Sequence, residues 1–592
     1  MCGFLGTIQN QLISKDTVLS SNKHTSCRGP DNLTFLEGNL RNFNFSYVFN
    51  RLSIVDLSED ANQPMHSNEF NTSLMFNGEI FNHIELRMHL EKKGYLFKTS
   101  HSDTEVLLIG LSVYGEKFLN RLIGQFSIYF IDYKTEEILL ARDRTGQKPL
   151  FYHCSKNKFV FGSNLKSVNL LANQKINENS INEYLEFNVI SSPNTIFNGV
   201  YKLEPGQFIK FKILNNNIKQ VISSKYWDYR EYVSEKKFEN EEFLSLLTQS
   251  VNQRTNADVP VAFYLSGGID STTIINFADK EKNLNTFSMD FPNSKYSELY
   301  WMEMVVNKYN SNHKSYQLDN SFNFSEVIEP LRLIDEPYCD PSVVPTYYLS
   351  KNISKYYKVA ISGDGGDELI GGYLKNKSIF NPKLRINEKT IQKLFAFYPQ
   401  SFGTGTNLLS RSKNLETSVL TYYYDKKFAE SLKLDKLNFK FQFVFDLEIK
   451  EYKKVQLLDY YFYLSEMMLL KIDRMSMLNS LEVRSPLVDH RLIEFVLSRN
   501  LENEFRKSEK QLFKNQLINN FSKEFLYRKK MGFTFNLEEF VNNNFDEINN
   551  IVMKNLNFNS KKIFKAFQYR SSQTNAVRIW KLLTLAIYFE NL

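Results

Sequence analysis

The chain has 592 residues, a length that exceeds a single hydrophobic core and predicts two to four domains. Hydrophobic residues make up 42% and charged residues 23%, the mixture of a packed globular protein, and no stretch approaches the ~18 uninterrupted apolar residues of a membrane-spanning helix. The net charge is +7, but the basic residues are scattered along the chain, which argues against a nucleic-acid-binding face.

Four cysteines (Cys2, Cys27, Cys154, Cys339) are too few for a disulfide scaffold. The opening Met-Cys-Gly-Phe-Leu-Gly-Thr shows no basic segment leading into an apolar one. Both features predict a reducing, cytoplasmic setting.

The first two hundred residues read mostly as strands. Phe126–Phe130, Ile138–Ala141, Leu150–Tyr152 and Phe159–Phe161 follow one another at short spacing, and the polar turns between them predict an antiparallel meander. Ile84–Lys92 and Thr104–Tyr114 place apolar residues three and four apart and predict helices. A last strand pair is expected near Phe208–Ile213, and the polar stretch Asn215–Lys237 reads as a linker.

Beyond it the rhythm changes. The apolar run Val259–Leu265 leads through Ser-Gly-Gly into a helix from Ile269; Thr286–Met289 precedes another helix, and Lys358–Ile361 ends in a Gly-rich acidic turn. Short apolar runs alternating with helices predict a parallel sheet. From about Leu384 the pattern is almost wholly helical, with long amphipathic stretches at Val455–Leu470 and Val577–Phe589.

Three constellations carry chemistry. Removal of Met1 would leave Cys2 with a thiol and a free α-amine in one residue, so that the amine could serve as local base for the nucleophile. Leu265-Ser266-Gly267-Gly268-Ile269-Asp270-Ser271 sits between a strand and a helix; glycines there bring N–H groups against an anion, and the helix N-terminus adds its dipole. It lacks the Gly-Lys-Ser/Thr ending of a Walker loop. Ser362-Gly363-Asp364-Gly365-Gly366-Asp367-Glu368 clusters carboxylates in a turn after a strand, an arrangement that suits Mg²⁺ beside phosphate oxygens.

Cys2-Gly3 is followed in order by Arg28-Gly29-Pro30-Asp31, Arg51-Leu52-Ser53-Ile54-Val55-Asp56, Gln63-Pro64, Asn77-Gly78-Glu79-Ile80 and Ser102-Asp103. This series resembles the class II glutamine amidotransferases. The Ser-Gly-Gly loop resembles the phosphate loop of ATP pyrophosphatases. Together with Lys471-Ile472-Asp473-Arg474-Met475-Ser476-Met477, Glu482-Val483-Arg484-Ser485-Pro486 and Lys530-Met531-Gly532-Phe533, it resembles the synthetase domain of glutamine-dependent asparagine synthetases.

The resemblance implies an α+β antiparallel-sheet sandwich of the N-terminal-nucleophile type over residues 1–213, a linker at 214–237, and an α/β ATP-pyrophosphatase domain with a helical C-terminal part over 238–592. It implies Cys2 as nucleophile, Asn77 and Gly78 as oxyanion donors, and a glutamine site of Arg51, Leu52, Ser53, Ile54, Val55, Asn77, Gly78, Glu79 and Asp103. Arg51 would take the glutamine carboxylate and Asp103 its ammonium. For ATP it implies Ser266, Gly267, Gly268 and Ser271 around pyrophosphate, Leu265, Met289, Ser362 and Gly363 beside adenosine, Asp270 and Asp367 on Mg²⁺, and Lys530 on the transferring phosphate.

Glutamine, ATP and aspartate are the expected substrates, and a homodimer is admitted. Asp364, counted by the resemblance with the catalytic residues Cys2, Asn77, Gly78 and Lys530, departs from the Glu of bacterial asparagine synthetases. That departure, with Glu336-Pro337 and Asp340-Pro341-Ser342, resembles relatives from surface-polysaccharide pathways and makes a uronic-acid sugar the alternative acceptor. A non-catalytic relative would show decayed motifs, and no decay beyond Asp364 is seen.

Overall fold

The computed structural model describes residues 2–215, 217–278, 284–292, 297–317, 323–373, 386–387, 412–423, 428, 438–507, 509–528, 532–556 and 573–592. The N-terminal part stacks two six-stranded antiparallel sheets. In one, the spatial order is Val200–Lys202, Phe151–Ser155, Lys158–Gly162, Gly3–Gln9, Phe43–Arg51, Asn32–Leu40; in the other, Asn217–Lys225, Gln207–Leu214, Glu137–Arg142, Gly124–Asp132, Thr72–Ile80, Met65–Ser67.

Alternation places every second side chain between the sheets. Phe4, Ile8, Tyr47 and Phe49 from the first sheet meet Met75, Tyr129, Ile131 and Leu140 from the second. The hydroxyls of Tyr47 and Tyr129 satisfy each other at 2.6 Å. The outer faces are covered as well. Leu5 and Val160 pack toward the helix Leu165–Ala172, while Phe76 and Ile128 pack toward the helices His83–Glu91 and Asp103–Tyr114. Burial on both faces explains why the whole strand Gly3–Gln9 is inaccessible.

Two expectations are corrected here. The meander is really two hairpins in facing sheets, because the chain crosses from one sheet to the other after Arg142. Buried Asp143 builds that crossing, accepting from the N–H groups of Gly146, Gln147 and Lys148 at 2.8–2.9 Å. The polar stretch taken as a linker from 214 contains the strand Asn217–Lys225, paired along its length with Gln207–Leu214. An edge strand keeps one side in water, so its composition looks like that of a loop. Only the residues after Tyr232 act as a connector, and they lie against the second domain, with the Lys236 N–H donating to Ser498 O at 2.9 Å.

The second domain has a five-stranded parallel sheet in the order Asn312–Gln317, Asn285–Asp290, Val261–Tyr264, Val359–Ile361, Glu482–Arg484. Strand Val261–Tyr264 lies between the strand that follows it and the later Val359–Ile361, so the order reverses there. A crevice at the carboxyl ends of strands flanking such a switch point is where open α/β sheets bind ligands. The Ser-Gly-Gly and Gly-Asp-Gly-Gly loops both open at it.

The described residues after Tyr373 are mostly helical; much of the stretch expected to be helical from Leu384, including 388–411 and 429–437, lies outside the described residues. The stretch Val455–Leu470 is not one α-helix: α-helical turns at Glu451–Leu458 and Leu469–Met477 flank a π-helical segment, Asp459–Met468. Ser465 Oγ donates to Tyr460 O, five residues back, at 2.9 Å. The last helix, Gln573–Glu590, packs against Leu537–Asn543 and Phe545–Asn555. No described helix is long and apolar enough to cross a membrane.

Candidate functional sites

Cys2 heads the central strand of the first sheet and is buried. Burial pushes its thiol above the ordinary value. Its backbone N–H donates to Asn77 Oδ1 at 3.2 Å, and its carbonyl accepts from Arg28 Nε at 3.2 Å. Asn77-Gly78 is not a turn but part of the strand Thr72–Ile80. Gly78 has φ +156°, and a Cβ there would lie 2.0 Å from Gln125 O, so this close passage of two strands requires glycine. The Asn77 amide nitrogen faces Ser127 Oγ at 3.3 Å.

Arg51 ends the strand Phe43–Arg51. Its guanidinium is held by the Ser58 carbonyl at 2.7 Å, Asn62 Oδ1 at 2.9 Å and the Asp56 carbonyl. These three acceptors are neutral, and no ion pair to Arg51 is seen among the described residues. Asp103 opens the helix Asp103–Tyr114 and accepts the Ile80 N–H at 3.0 Å. Burial raises the carboxyls of both Asp103 and Glu79 above the usual range.

Cys2, Arg51, Leu52, Ile54, Val55, Gly78, Glu79 and Asp103 line one small cleft. Ser53 is not among them; its N–H donates to Asp31 Oδ2 at 2.7 Å. Gln63 was read only as part of a motif, but its side chain pins the strand beside Asn77, accepting the Phe76 N–H at 2.7 Å and donating to its carbonyl at 3.3 Å.

In the second domain, the phosphate-loop candidate folds on its own hydroxyls. The Ser266 N–H donates to Ser271 Oγ and the Gly268 N–H to Ser266 Oγ, both at 3.3 Å. Gly267 is left-handed at φ +68°. Gly268 caps the helix Ile269–Phe277. The second loop lies directly on the first: a Cβ at Gly363 would come within 2.9 Å of Ser271 N, and one at Gly366 within 2.5 Å of Asp270 Oδ1. Leu265 and Met289 are buried at adjacent strand ends, with the Leu265 N–H on Phe287 O at 2.8 Å. Ser362 is held by Arg484 O at 2.9 Å and Ser485 Oγ at 3.0 Å. Asp364 is half-buried near Tyr264, whose phenol burial and the Asp364 charge both push upward.

Asp270 and Asp367 share one cation. The buried ammonium of Lys510 contacts Asp270 and, at 2.8 Å, Asp367 Oδ1. Burial opposes the charge on Lys510, and the two carboxylates outweigh it, raising its pKa. Two carboxylates that converge on a single cation fit the donor set expected for Mg²⁺ beside phosphate. No sequence pattern marked Lys510. Lys530 lies outside the described residues. Arg528 donates to Gly267 O at 2.9 Å and pairs with Glu298 at 2.7 Å, so the chain just before Lys530 does reach the loop.

Charged groups cross the boundary between the domains. Asp473 receives Arg28 and Lys148, and Arg484 pairs with Glu79 at 3.1 Å. Glu336 is fully buried, with Lys202 at 2.8 Å and Arg474 at 3.5 Å.

A buried Cys2 cleft in a two-sheet sandwich, joined to a parallel sheet with paired glycine loops at its switch point, has the architecture of a glutamine-dependent carbon–nitrogen ligase. The chain belongs to the asparagine synthase family, whose model matches residues 242–589, and a glutamine amidotransferase domain model matches residues 1–227. It is 30% identical over 586 residues to the glutamine-hydrolyzing asparagine synthetase 1 of Bacillus subtilis (strain 168), covering 94% of this chain and 90% of that protein. It is 28% identical over 571 residues to asparagine synthetase 3 of the same organism, covering 90% of this chain and 86% of the relative.

Proposed function

We propose that this chain is a glutamine-hydrolysing asparagine synthetase with one reaction site within residues 1–232 and the other in the chain from about 240 onward. In the first, the Cys2 thiolate attacks the side-chain carbonyl carbon of glutamine, ammonia leaves, and water hydrolyses the thioester to glutamate. The α-amine freed by loss of Met1 is the base. Asn77 Oδ1, already on the Cys2 nitrogen at 3.2 Å, is suited to hold that amine. Arg51 takes the glutamine carboxylate, Asp103 and Glu79 its ammonium, and Asn77 with the Gly78 N–H the developing oxyanion.

In the second site, the aspartate side-chain carboxylate attacks the α-phosphorus of ATP and pyrophosphate departs; ammonia then displaces AMP from the acyl-adenylate and loses a proton. ATP use is consistent with the family. Ser266, Gly267, Gly268 and Ser271 receive the pyrophosphate, and Leu265, Met289, Ser362 and Gly363 border the adenosine. Asp270 and Asp367 would hold Mg²⁺, which when bound offsets charge on the phosphate oxygens. Lys530 is assigned to the transferring phosphate, supported by Arg528 on the Gly267 carbonyl, and Asp364 to the acceptor side.

The observation that carries this reading is the convergence of Cys2, Arg51, Glu79 and Asp103, far apart in sequence, on one cleft. Aspartate is preferred over a uronic-acid sugar because Glu336, part of the pattern that raised the sugar, is committed to Lys202 and Arg474 in the domain boundary. The test is glutamine- and ATP-dependent pyrophosphate release with each acceptor. Asparagine formation from aspartate is expected; release with uronic-acid nucleotide sugars and none with aspartate would overturn the acceptor.

A further inference from the structure

We infer that Arg484 is a positioning residue that links glutamine binding in one domain to ATP binding in the other. The inference rests on the proposed placement of glutamine beside Glu79 and of adenosine beside Ser362. Arg484 ends the strand Glu482–Arg484 and is completely buried. Its guanidinium is engaged on three sides. Nη2 meets Glu79 at 3.1 Å, Nε meets Glu482 at 2.6 Å, and Nη1 donates to the carbonyls of Arg254 and Asn256 at 3.0 and 2.7 Å. Its carbonyl accepts the Ser362 N–H at 2.9 Å, and the next residue, Ser485, bonds the Ser362 hydroxyl at 3.0 Å.

Glu79 follows Asn77-Gly78 on their strand and lines the Cys2 cleft. Glu482 is also tied to that strand's neighbour, accepting from Gln125 Nε2 at 3.2 Å. The Gln125 carbonyl is the atom that a side chain at Gly78 would strike.

An ammonium entering the cleft competes with Arg484 for Glu79. In a close-packed interior a guanidinium fixed at Nε and Nη1 cannot follow Glu79 by rotating alone. The shift passes instead to the strand end, and so to buried Ser362, the residue proposed to border adenosine. Linkage then requires that ATP change the affinity for glutamine by the same factor as glutamine changes the affinity for ATP.

The test uses full-length Cys2→Ala protein, in which glutamine binds without turnover. Glutamine affinity is measured by calorimetry with and without Mg²⁺ and a non-hydrolysable ATP analogue. A change of about fivefold or more is expected, the lower range of allosteric coupling. Arg484→Lys should bring that ratio to within about twofold of unity. Ser485→Ala, a milder change at the Ser362 end, should reduce it in the same direction and covers the case in which Arg484→Lys fails to fold. A purely structural role for Arg484 would weaken both affinities and leave their ratio intact. A ratio retained in the variants, or a ratio of one before they are made, overturns the inference. Failure of the site reading shows separately, as glutaminase activity that survives Cys2→Ala.

Discussion

Asp473 receives both terminal nitrogens of Arg28, at 2.8 and 3.1 Å, across the boundary between the two domains. Lys148 reaches the same carboxylate at 3.3 Å, and all three groups are almost fully buried. Because the Arg28 Nε also holds the Cys2 carbonyl, a synthetase-domain residue steadies the backbone of the proposed nucleophile. Burial alone would raise the Asp473 carboxyl, and its two cationic partners hold it below the usual range instead.

Asp473→Asn should therefore leave two buried cations without a full counter-charge. Removing one partner of a buried ion pair costs about 3–5 kcal/mol. Denaturant melts should show a loss of that order, with a fall in glutamine hydrolysis. Unchanged stability and hydrolysis would remove Asp473 from this role.

Gly78→Ala tests the strand passage beside Cys2. A methyl group 2.0 Å from Gln125 O cannot be accommodated without moving backbone. Glutamine-dependent activity should fall by at least a hundredfold, ~3 kcal/mol of transition-state stabilisation, while ammonia-dependent activity persists. Steady-state assays with each nitrogen donor decide it.

Lys510→Met removes the cation between Asp270 and Asp367. Two carboxylates facing one another should then make the protein depend on an added cation. The thermal midpoint without Mg²⁺ should drop, and Mg²⁺ should raise it more than in the unaltered chain. Identical responses in both proteins would contradict a metal place there.

Asp228 gives a pH signature. Burial raises its pKa, but hydrogen bonds from Arg230 and Tyr461 prevail and bring it to about 2, against 3.8 for an unperturbed carboxyl. A depressed carboxyl stabilises the fold above its unfolded pKa and loses that contribution as pH falls through the folded one. About 2 kcal/mol should therefore be present above pH ~4 and disappear on acidification toward pH ~2. Asp228→Asn should flatten the stability curve in that window, as followed by denaturant melts at stepped pH.

Much of both candidate sites is visible as sequence pattern because the groups proposed for each chemistry lie close together in the chain. Cys2-Gly3, Asn77-Gly78-Glu79 and Ser266-Gly267-Gly268 each place the needed groups within a few residues, and the strand–loop–helix rhythm around Ser266 exposed the parallel sheet. The rest depends on contacts between distant residues in ordinary surroundings. Nothing around Lys510 marks it as the partner of Asp270, 240 positions earlier, and nothing around Asp473 points to Arg28, 445 positions away. Ser53 sits in the cleft-lining segment with its N–H turned to Asp31, a direction that sequence spacing alone does not specify. The strand Asn217–Lys225 was missed because, Ile218 apart, this edge strand buries none of its side chains, and the exposed ones are mostly polar.

Lys530 and Lys529 separate a phosphate contact from a solvated basic turn. Lys530→Ala should slow acyl-adenylate formation about a hundredfold, the scale of a lost oxyanion donor. Lys529→Ala should change it little, within the ~0–1 kcal/mol of a charge that contacts no reacting group. Rapid-quench measurement of adenylate formation compares them, and equal small effects would take Lys530 out of this role.

The division of labour between two sites is tested most directly by Cys2→Ala assayed for asparagine with glutamine and with ammonia as nitrogen source. The account predicts no asparagine from glutamine, near-normal synthesis from ammonia, and intact mass lacking Met1 in the active unaltered protein. Glutamine-dependent synthesis that survives Cys2→Ala, or full activity in protein that retains Met1, would contradict it.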